Sequence, residues 1–515
     1  MKEIRVFTDK TRSRNDCFWG AAGTDELFPF AYTEEGKFLM RRMKNYGGKY
    51  VRNHYTFNRQ TRYGIRVGGD VYHEDENGNP VYDFEWINGS FKEILACGLK
   101  PIVELDYMPD DLIEEGIEVE QEGTEETFHD RCFPKDWDKW RGLLEAFMQN
   151  LVDNFGIEEM RTWYFEVWNE PDNWPVEAWP MFFRLYDIFA DVVSKVDPML
   201  KIGGPACFRD YFMYAFLNHV ENGTNYVTGK KGTRIDYFSY HVYGISGGWL
   251  DMHPLSTPTV QRFVVSLLQT KLFIDKFPSQ RGKEFLLNEW GVVSNYERTA
   301  KEYPYLEIRN SEYSALFFVK LVDSIIEIRE KYDLDITMML YWGFSNEDNF
   351  KNMFNGNRSL TTRGNVCNPI QTAHELLGHF GKNFVETNLH PGMDDGALAS
   401  ADENGAAALV YYFNDYDVDR TFPDREYSVS FEGLTDGAYR LEVFTMDDTH
   451  NNTYRLWQRL GSPDAPTEEE YKKLHAEQEI TADTECDISV SGGKFTCNIT
   501  LSSMSMKFIK LSKKN

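Results

Sequence analysis

Two glutamates, each at the end of a short apolar run, are the residues in this sequence best suited to proton transfer and nucleophilic chemistry. Glu170 follows an aromatic run and lies in Asn169-Glu170-Pro171, and Glu289 lies in Asn288-Glu289-Trp290 after a second apolar run. Carboxylates are rarely buried without a partner or a chemical task. Either glutamate alone is also compatible with an ion-paired strand end, but two of them match the carboxyl pair that flanks a glycosidic bond.

Proline 171 restricts the backbone of the first glutamate. A residue that precedes proline is disfavoured in the helical region, so Glu170 is predicted to be extended. If the pair is that of a retaining glycosidase, the two carboxyl groups are expected roughly 5–5.5 Å apart.

Eight apolar strands that alternate with amphipathic helices position these residues. This alternation predicts an α/β fold, a (β/α)8 TIM barrel over residues 14–381. The predicted strands are 18–22, 49–56, 100–106, 162–172, 201–205, 235–243, 284–293 and 337–345. The predicted helices include 34–45, 84–97, 177–196, 259–277, 311–331 and 370–380. The acidic segment 109–134 has the length of a cleft-lining loop.

Polar and aromatic residues recur where successive predicted strands end. Beside the two glutamates they are His54, Asp106, Asn169, His241, Tyr243 and Trp342. Active sites of such barrels lie at the carboxyl ends of the strands, so a shared pocket is expected there. Any one of these side chains could instead be structural.

The pattern changes after about residue 381 to short alternating runs separated by turn residues. This is typical of an antiparallel β-sandwich. We expect residues 1–13 and 382–515 to form this accessory domain, with a strand at 2–8 joining it because an isolated strand needs an edge to pair with. Residues 463–479 are predicted to be an inserted helix or an exposed loop.

Composition excludes several classes of function. The 515 residues carry a net charge of −27, which disfavours nucleic acids and anionic membranes as partners. No apolar run is long enough for a membrane span, and the N-terminus lacks a signal-peptide core. The seven scattered cysteines lack metal-ligand spacing and predict reduced thiols in a cytoplasmic protein. No cofactor or metal is predicted, and a homo-oligomer is left open.

Taken together, the motifs resemble glycoside hydrolase family 39, which contains β-xylosidases and α-L-iduronidases. The similarity covers nearly the whole chain. The matching segments are Arg52-Asn-His54, Lys100-Pro-Ile-Val-Glu-Leu-Asp-Tyr-Met-Pro109, Phe165-Glu-Val-Trp-Asn-Glu-Pro171, Ile202-Gly-Gly-Pro205, Tyr240-His-Val-Tyr243, Asn288-Glu-Trp290, Tyr341-Trp-Gly-Phe-Ser345 and Trp457-Gln-Arg-Leu-Gly-Ser-Pro463.

The resemblance implies roles for the residues that match. Glu170 would be the general acid and base, and Glu289 the nucleophile. Asn169 would hold the sugar 2-hydroxyl, and the −1 subsite would be lined by His54, His241, Tyr243 and Trp342. The implied activity is a retaining, β-xylosidase-like exo-glycosidase that acts on a glycoside or oligosaccharide.

The sequence departs from the family pattern after strand eight. Family xylosidases usually carry one or two glutamates there, whereas this chain has Asn349 and Phe350, with acids displaced to Glu347 and Asp348. We therefore expect looser selectivity for xylose. An arabinosidase, galactosidase or iduronidase type of activity remains an alternative, as does a catalytically inactive carbohydrate-binding barrel.

A uronic acid would require cations in the pocket. Lys351, Arg358 and Arg363 are available for this, although a solvated loop explains them as well.

Overall fold

The computed structural model describes residues 1–25, 27–62, 65–114, 120–121, 127–128, 132–246, 256–294, 299–343, 351–416 and 421–514. The chain begins with strand β1 (Lys2–Arg14). Eight further strands then close into a barrel in which every neighbouring pair is parallel. The barrel strands are β2 (Ala21–Thr24), β3 (Tyr50–Asn53), β4 (Lys100–Leu105), β5 (Tyr164–Val167), β6 (Lys201–Cys207), β7 (Tyr237–Ile245), β8 (Glu284–Val293) and β9 (Ile336–Trp342).

Helices follow the barrel strands and shield them from water. They are α1 (Leu27–Tyr32), α2 (Glu34–Met43), α3 (Glu85–Ala96), α4 (Trp137–Phe155), α5 (Ile157–Met160), α6 (Trp179–Val196), α7 (Asp210–Asn222), α8 (Val260–Ile274), α9 (Glu312–Tyr332) and α10 (Pro369–Leu377). Local signals fix their ends: the Asp136 side chain caps the amino end of α4, and Gly156 ends it. Helix α9 is buried along most of its length because the barrel lies on one side of it and the second sheet on the other.

The second sheet has nine strands. In addition to β1 they are β10 (Asn383–Thr387), β11 (Asp395–Asp402), β12 (Gly405–Tyr412), β13 (Arg425–Glu432), β14 (Gly437–Met446), β15 (Thr484–Val490), β16 (Lys494–Leu501) and β17 (Ser505–Lys513). Their order is β15-β14-β17-β12-β11-β10-β1-β13-β16. All described pairs are antiparallel except β1 with β13.

The predicted fold class, a (β/α)8 barrel with an accessory antiparallel β-sandwich domain, is confirmed, and the strands of the second domain join in one mostly antiparallel sheet. Strands from across the second sheet bury one apolar cluster that includes Ile4, Val429, Leu441 and Ile509. The N-terminal strand lies between β10 and β13 and is longer than the predicted 2–8. We propose that the chain divides into domains as expected, residues 14–381 and residues 1–13 with 382–515.

Three strands of the second sheet and several helices, α7 among them, are absent from the sequence-based prediction. Strands β10 and β11 lie before the first strand that the alternating pattern predicts for the second sheet. Strand β11 is rich in alanine, which has low β propensity. Strand β15 lies at a sheet edge and is largely exposed, so it lacks the apolar alternation that marks a half-buried strand. Helix α7 was not predicted either.

The chain between β14 and β15 leaves the sheet and forms two helices, α11 (Thr453–Arg459) and α12 (Glu468–Glu477). Helix α12 begins with a reciprocal capping box between Thr467 and Glu470, which fixes its first turn. The segment 463–479 is therefore helical over most of its length. We call α11 and α12 the insert helices, and they pack against the barrel loop at residues 351–367.

Among the described residues, no helix combines the length and apolarity that crossing a bilayer requires.

Candidate active site

The carboxyl ends of five barrel strands bring the predicted site residues together. Arg52 and His54 end β3, Asn169 and Glu170 follow β5, and Trp342 ends β9. The long strands β7 and β8 lie side by side, and their register places His241 directly opposite Glu289. The predicted site residues are thus assembled in one network of contacts. They are His54, Asn169, Glu170, His241, Tyr243, Glu289 and Trp342.

Glu170 does not have the extended backbone predicted from Pro171. Its φ of 45° and ψ of 50° place it in the left-handed region. Two hydrogen bonds hold it there, because its N–H donates to Ala206 O at 2.9 Å and its carbonyl accepts from Asn173 N at 3.0 Å. Such a conformation costs on the order of 1–3 kcal/mol in a residue other than glycine. A tertiary hydrogen bond to Ala206 and a local turn bond from Asn173 therefore override the preference that proline imposes.

The Glu170 carboxyl lies at the edge of the pocket, with 23% of its side chain exposed. Its Oε1 is 2.9 Å from His241 Nδ1, and its Oε2 accepts a hydrogen bond from Asn173 Nδ2 at 3.1 Å. Burial raises the pKa of Glu170 to about 7, and the nearby Arg52 guanidinium and the Asn173 hydrogen bond offset this only in part. Glu170 can therefore carry a proton near neutral pH.

Glu289 is buried more deeply and has cations around it. Its Oε1 accepts a short hydrogen bond from the Tyr243 hydroxyl, and its Oε2 lies 3.3 Å from His241 Nδ1 and 3.6 Å from Arg52 Nη1. Burial raises its pKa, whereas His241, Arg358 and Arg52 lower it. Burial lowers the pKa of His241 to about 4, so this imidazole is neutral near pH 7.

One carboxylate oxygen of Glu170, one of Glu289 and a ring nitrogen of His241 all lie within 4.8 Å of one another. Proximity to Glu170 also raises the pKa of Glu289, because two close carboxylates disfavour simultaneous ionisation. The two glutamates predicted from separate motifs are thus near neighbours in space, with different surroundings.

Beneath them lies a buried ion network centred on Arg52. Its guanidinium is 2.5 Å from Glu166 Oε1 and 2.7 Å from Glu104 Oε2, and it donates to Asn169 Oδ1 at 3.0 Å. These contacts fix the side-chain orientation of Asn169. Arg52, Glu104 and Glu166 were not predicted as site residues. The sequence did contain a signal for them, because each is a charged residue within a predicted buried strand. An unpaired charge is too costly to bury, so these residues could have been predicted to pair with one another.

His54 and Trp342 form the adjoining wall. Their rings lie 4.3 Å apart between centroids, and the Arg52 guanidinium lies 5.1 Å from the Trp342 ring. His54 Nδ1 is 3.1 Å from Glu104 Oε1, and Asp106 lies behind it. The Glu104 carboxylate also has a cationic partner, because its Oε2 lies 2.7 Å from Arg52 Nη2.

Arg358 is a site residue that the sequence left ambiguous. Its side chain is 5% exposed, it donates to the Tyr243 hydroxyl, and its Nη1 lies 3.9 Å from Glu289 Oε1. The solvated-loop interpretation is therefore wrong for Arg358. Arg363 instead donates to the backbone oxygen of Asp464 at 3.1 Å, outside the pocket. Glu347, Asp348, Asn349 and Phe350 lie outside the described residues.

Several polar atoms of the pocket are buried without a hydrogen-bond partner within the part of the chain that the structure describes. They are Arg52 Nη1, His241 Nε2 and Glu289 Oε2. Buried polar atoms are nearly always paired in folded proteins, and two of these atoms, Arg52 Nη1 and Glu289 Oε2, lie 3.6 Å apart as an ion pair.

Residues 2–494 match the family model described as Glycosyl hydrolases family 39. The chain belongs to glycoside hydrolase family 39. It is 25% identical over 426 residues to a beta-xylosidase from Caldicellulosiruptor saccharolyticus, covering 80% of this chain and 79% of that protein. It is 23% identical over 387 residues to the alpha-L-iduronidase of Homo sapiens, covering 67% of this chain and 55% of that protein.

Solved structures agree with the fold of this glycosidase. A crystal structure of a monomeric beta-xylosidase from Caulobacter crescentus CB15 superposes with a TM-score of 0.82 at 23% identity, covering 100% of both chains. A family 39 enzyme from Xanthomonas axonopodis pv. citri superposes with a TM-score of 0.81 at 20% identity, covering 99% of this chain and 97% of that one. Family membership implies a carbohydrate substrate for this protein.

Proposed function

We propose that this glycosidase is a retaining, β-xylosidase-like exo-glycosidase in which Glu170 is the general acid and base and Glu289 is the nucleophile. The observation that carries the proposal is the close approach of these two carboxylates, which have oxygens within 4.8 Å of each other. Retaining enzymes hold the pair about 5–5.5 Å apart, whereas inverting enzymes leave about 6.5–9.5 Å for a water molecule.

The electrostatics support this division of roles. Glu170 has a pKa of about 7 and lies at the more exposed edge of the pocket, so it can donate a proton to the departing glycosidic oxygen. Glu289 lies deeper, and Arg52, Arg358 and Tyr243 surround its carboxylate. These groups favour the ionised form that attacks the anomeric carbon.

The proposed reaction has two displacements. Glu289 forms a bond to the anomeric carbon as the bond to the aglycone oxygen breaks, and Glu170 gives that oxygen its proton. A water molecule then gives a proton to Glu170 and attacks the same carbon, which releases Glu289 as a carboxylate. Two inversions at one carbon leave the sugar with its original anomeric configuration.

The remaining residues are proposed to hold the sugar. Arg52 fixes the Asn169 amide at the start of the acid loop, where it can pair with a hydroxyl group. His54 and Trp342 provide a polar edge and an aromatic wall. His241 Nδ1 lies close to both carboxyl groups, 2.9 Å from Glu170 Oε1 and 3.3 Å from Glu289 Oε2, and so can orient them.

The test is a panel of nitrophenyl β-xyloside, α-arabinoside, β-galactoside and β-glucoside, with the product anomer followed by proton NMR. We expect hydrolysis of at least the xyloside, with the β anomer of the free sugar formed first. Initial formation of the α anomer would contradict the retaining assignment. Failure to cleave any member would favour the alternative of a carbohydrate-binding barrel without activity.

Arg358 favours a second candidate, a glycosidase that takes a uronic acid. A buried guanidinium beside Glu289 is a cation of the kind that pairs with a sugar carboxylate. The matched substrates are 4-methylumbelliferyl α-L-iduronide and 4-methylumbelliferyl β-D-xyloside. Preference for the iduronide in the parent, with selective loss of that preference in Arg358→Gln, would establish the second candidate over the first.

A further inference from the structure

The loop that carries Arg358, residues 351–367, is held on its outer side by a segment that belongs to the other sheet. The insert helices α11 and α12 place Tyr454, Trp457 and Leu474 against this loop. The Phe354 ring lies 5.3 Å from the Tyr454 ring and 5.2 Å from the Trp457 ring, measured between centroids. Together with Met353 and Val366 these side chains form an apolar cluster separate from the main core.

Hydrogen bonds also join the loop to the insert segment beside this apolar cluster. His475 Nε2 lies 2.8 Å from Gly364 O, and Cys367 N donates to Gln478 Oε1 at 2.9 Å. Gly364 has a φ of 71°, and a Cβ on it would lie 2.4 Å from the Tyr471 ring. The loop and the insert helices are therefore fitted closely, and both this contact and the positive φ require glycine at position 364.

The inner side of the same loop reaches the nucleophile. Arg309 donates to Gly356 O at 3.0 Å and to Val293 O at 2.7 Å, which anchors the loop to the end of β8. Two residues later, Arg358 turns toward Tyr243 and Glu289. The backbone of Arg358 packs on Gly343, where a Cβ would lie 2.4 Å from Arg358 O.

We infer that the insert helices, through Trp457 and its contact with Phe354, are positioning elements that hold Arg358 beside the nucleophile Glu289. The inference rests on the proposed function for the identity of the nucleophile. The distance of 3.9 Å between Arg358 Nη1 and Glu289 Oε1 is set by a loop that the barrel contacts on one side and the insert helices on the other. Trp457 touches no reacting atom, so it acts through Arg358.

Displacement of Arg358 is expected to change the pKa of Glu289. The groups that face its carboxylate are Arg52 from β3, Glu170 from the loop after β5, His241 and Tyr243 from β7, and Arg358 from the loop 351–367. Arg358 lowers the pKa of Glu289, so moving it away raises that pKa. A higher pKa for the nucleophile moves the acidic limb of kcat/KM to higher pH, because Glu289 must be ionised to attack.

The experiment compares Trp457→Ala with three matched variants. Trp457→Phe keeps a ring against Phe354, Lys472→Ala changes an exposed side chain on the same insert, and Val429→Ala weakens the sheet core away from the loop. The substrate is 4-nitrophenyl β-D-xyloside, or the best-cleaved member of the glycoside panel. We expect the acidic limb to move upward by about half a pH unit or more in Trp457→Ala.

The controls separate positioning from stability. Trp457→Phe should restore the parent profile, and Lys472→Ala should not alter it. Val429→Ala should lower the melting temperature without moving the acidic limb. An unmoved limb in Trp457→Ala, or an equal movement in Val429→Ala, would overturn the inference.

A crystal structure of Trp457→Ala tests the inference without any substrate. The distance between Arg358 Nη1 and Glu289 Oε1 should increase beyond 3.9 Å, with displacement of residues 351–367. An unchanged distance overturns the positioning role. If the parent cleaves no glycoside in the panel, the proposed function fails, and this distance still decides whether the insert helices hold Arg358.

Discussion

Replacement of Glu170 by glutamine removes the proton that the proposed mechanism requires while preserving the shape of the side chain. The pKa of Glu170 is about 7, compared with 4.5 for a solvated glutamate, so the difference is 7 − 4.5 = 2.5 units. At pH 7 about half of the molecules carry the proton, against roughly 0.3% at the ordinary pKa. Burial thus increases the acid form about 160-fold at neutral pH.

The assay is kcat/KM against pH for two xylosides with different leaving groups. In the parent, the basic limb should fall near pH 7, where Glu170 loses its proton. Glu170→Gln should lose that limb and about 10²–10⁴-fold in activity on xylobiose, whose leaving group needs protonation. Cleavage of the glycosidic bond of a 2,4-dinitrophenyl xyloside should be far less affected, because that leaving group departs without a proton.

Asn173→Ala is the matched control, because it changes the pKa of Glu170 without removing the carboxyl group. Asn173 Nδ2 donates to Glu170 Oε2 at 3.1 Å and thereby lowers the pKa of Glu170. Removing the amide should raise that pKa and move the basic limb to higher pH while leaving the limb present. A basic limb near pH 7 that persists in Glu170→Gln, or equal losses on both substrates, would refute the assignment of Glu170 as the acid.

Further predictions concern the nucleophile, the glycone and the junction of the two sheets. Glu289→Ala should abolish turnover, and azide should restore activity with an inverted glycosyl azide product by NMR; activity close to the parent's would exclude Glu289. The preference for xyloside over arabinoside and galactoside in kcat/KM should stay below about a thousandfold, or about 4 kcal/mol, and a larger ratio would show that the site is not relaxed. Burial raises the pKa of Asp323, which accepts from the Tyr411 hydroxyl at 2.9 Å, to about 8. A raised carboxyl pKa costs stability progressively as pH rises from the ordinary value to 8, so Asp323→Asn should gain more melting temperature over the parent at pH 9 than at pH 5; an equal effect at both values would contradict this.

Local patterns were sufficient to predict the barrel. Each strand is a short apolar run followed by a helix with its own end signals, as in α4, and a right-handed βαβ repeat of this kind has few alternative arrangements. The sheet was predicted less completely, because the alanine-rich β11 and the exposed edge strand β15 lack the alternation that marks half-buried strands. The parallel pairing of β1 with β13 joins residues more than 400 positions apart, which no local pattern specifies.

Residue types and their positions at strand ends are enough to indicate most of the candidate site residues, since carboxylates, amides and imidazoles at strand ends meet at one face of any such barrel. Their orientation and electrostatic surroundings depend on tertiary contacts. The left-handed backbone of Glu170, the orientation of Asn169 by Arg52 and the arrival of Arg358 beside Glu289 all depend on contacts between distant segments. Burial and neighbouring charge, which exist only in the folded chain, separate the surroundings of the two glutamates, and this difference supports the different chemical roles that we propose for two similar strand-end motifs.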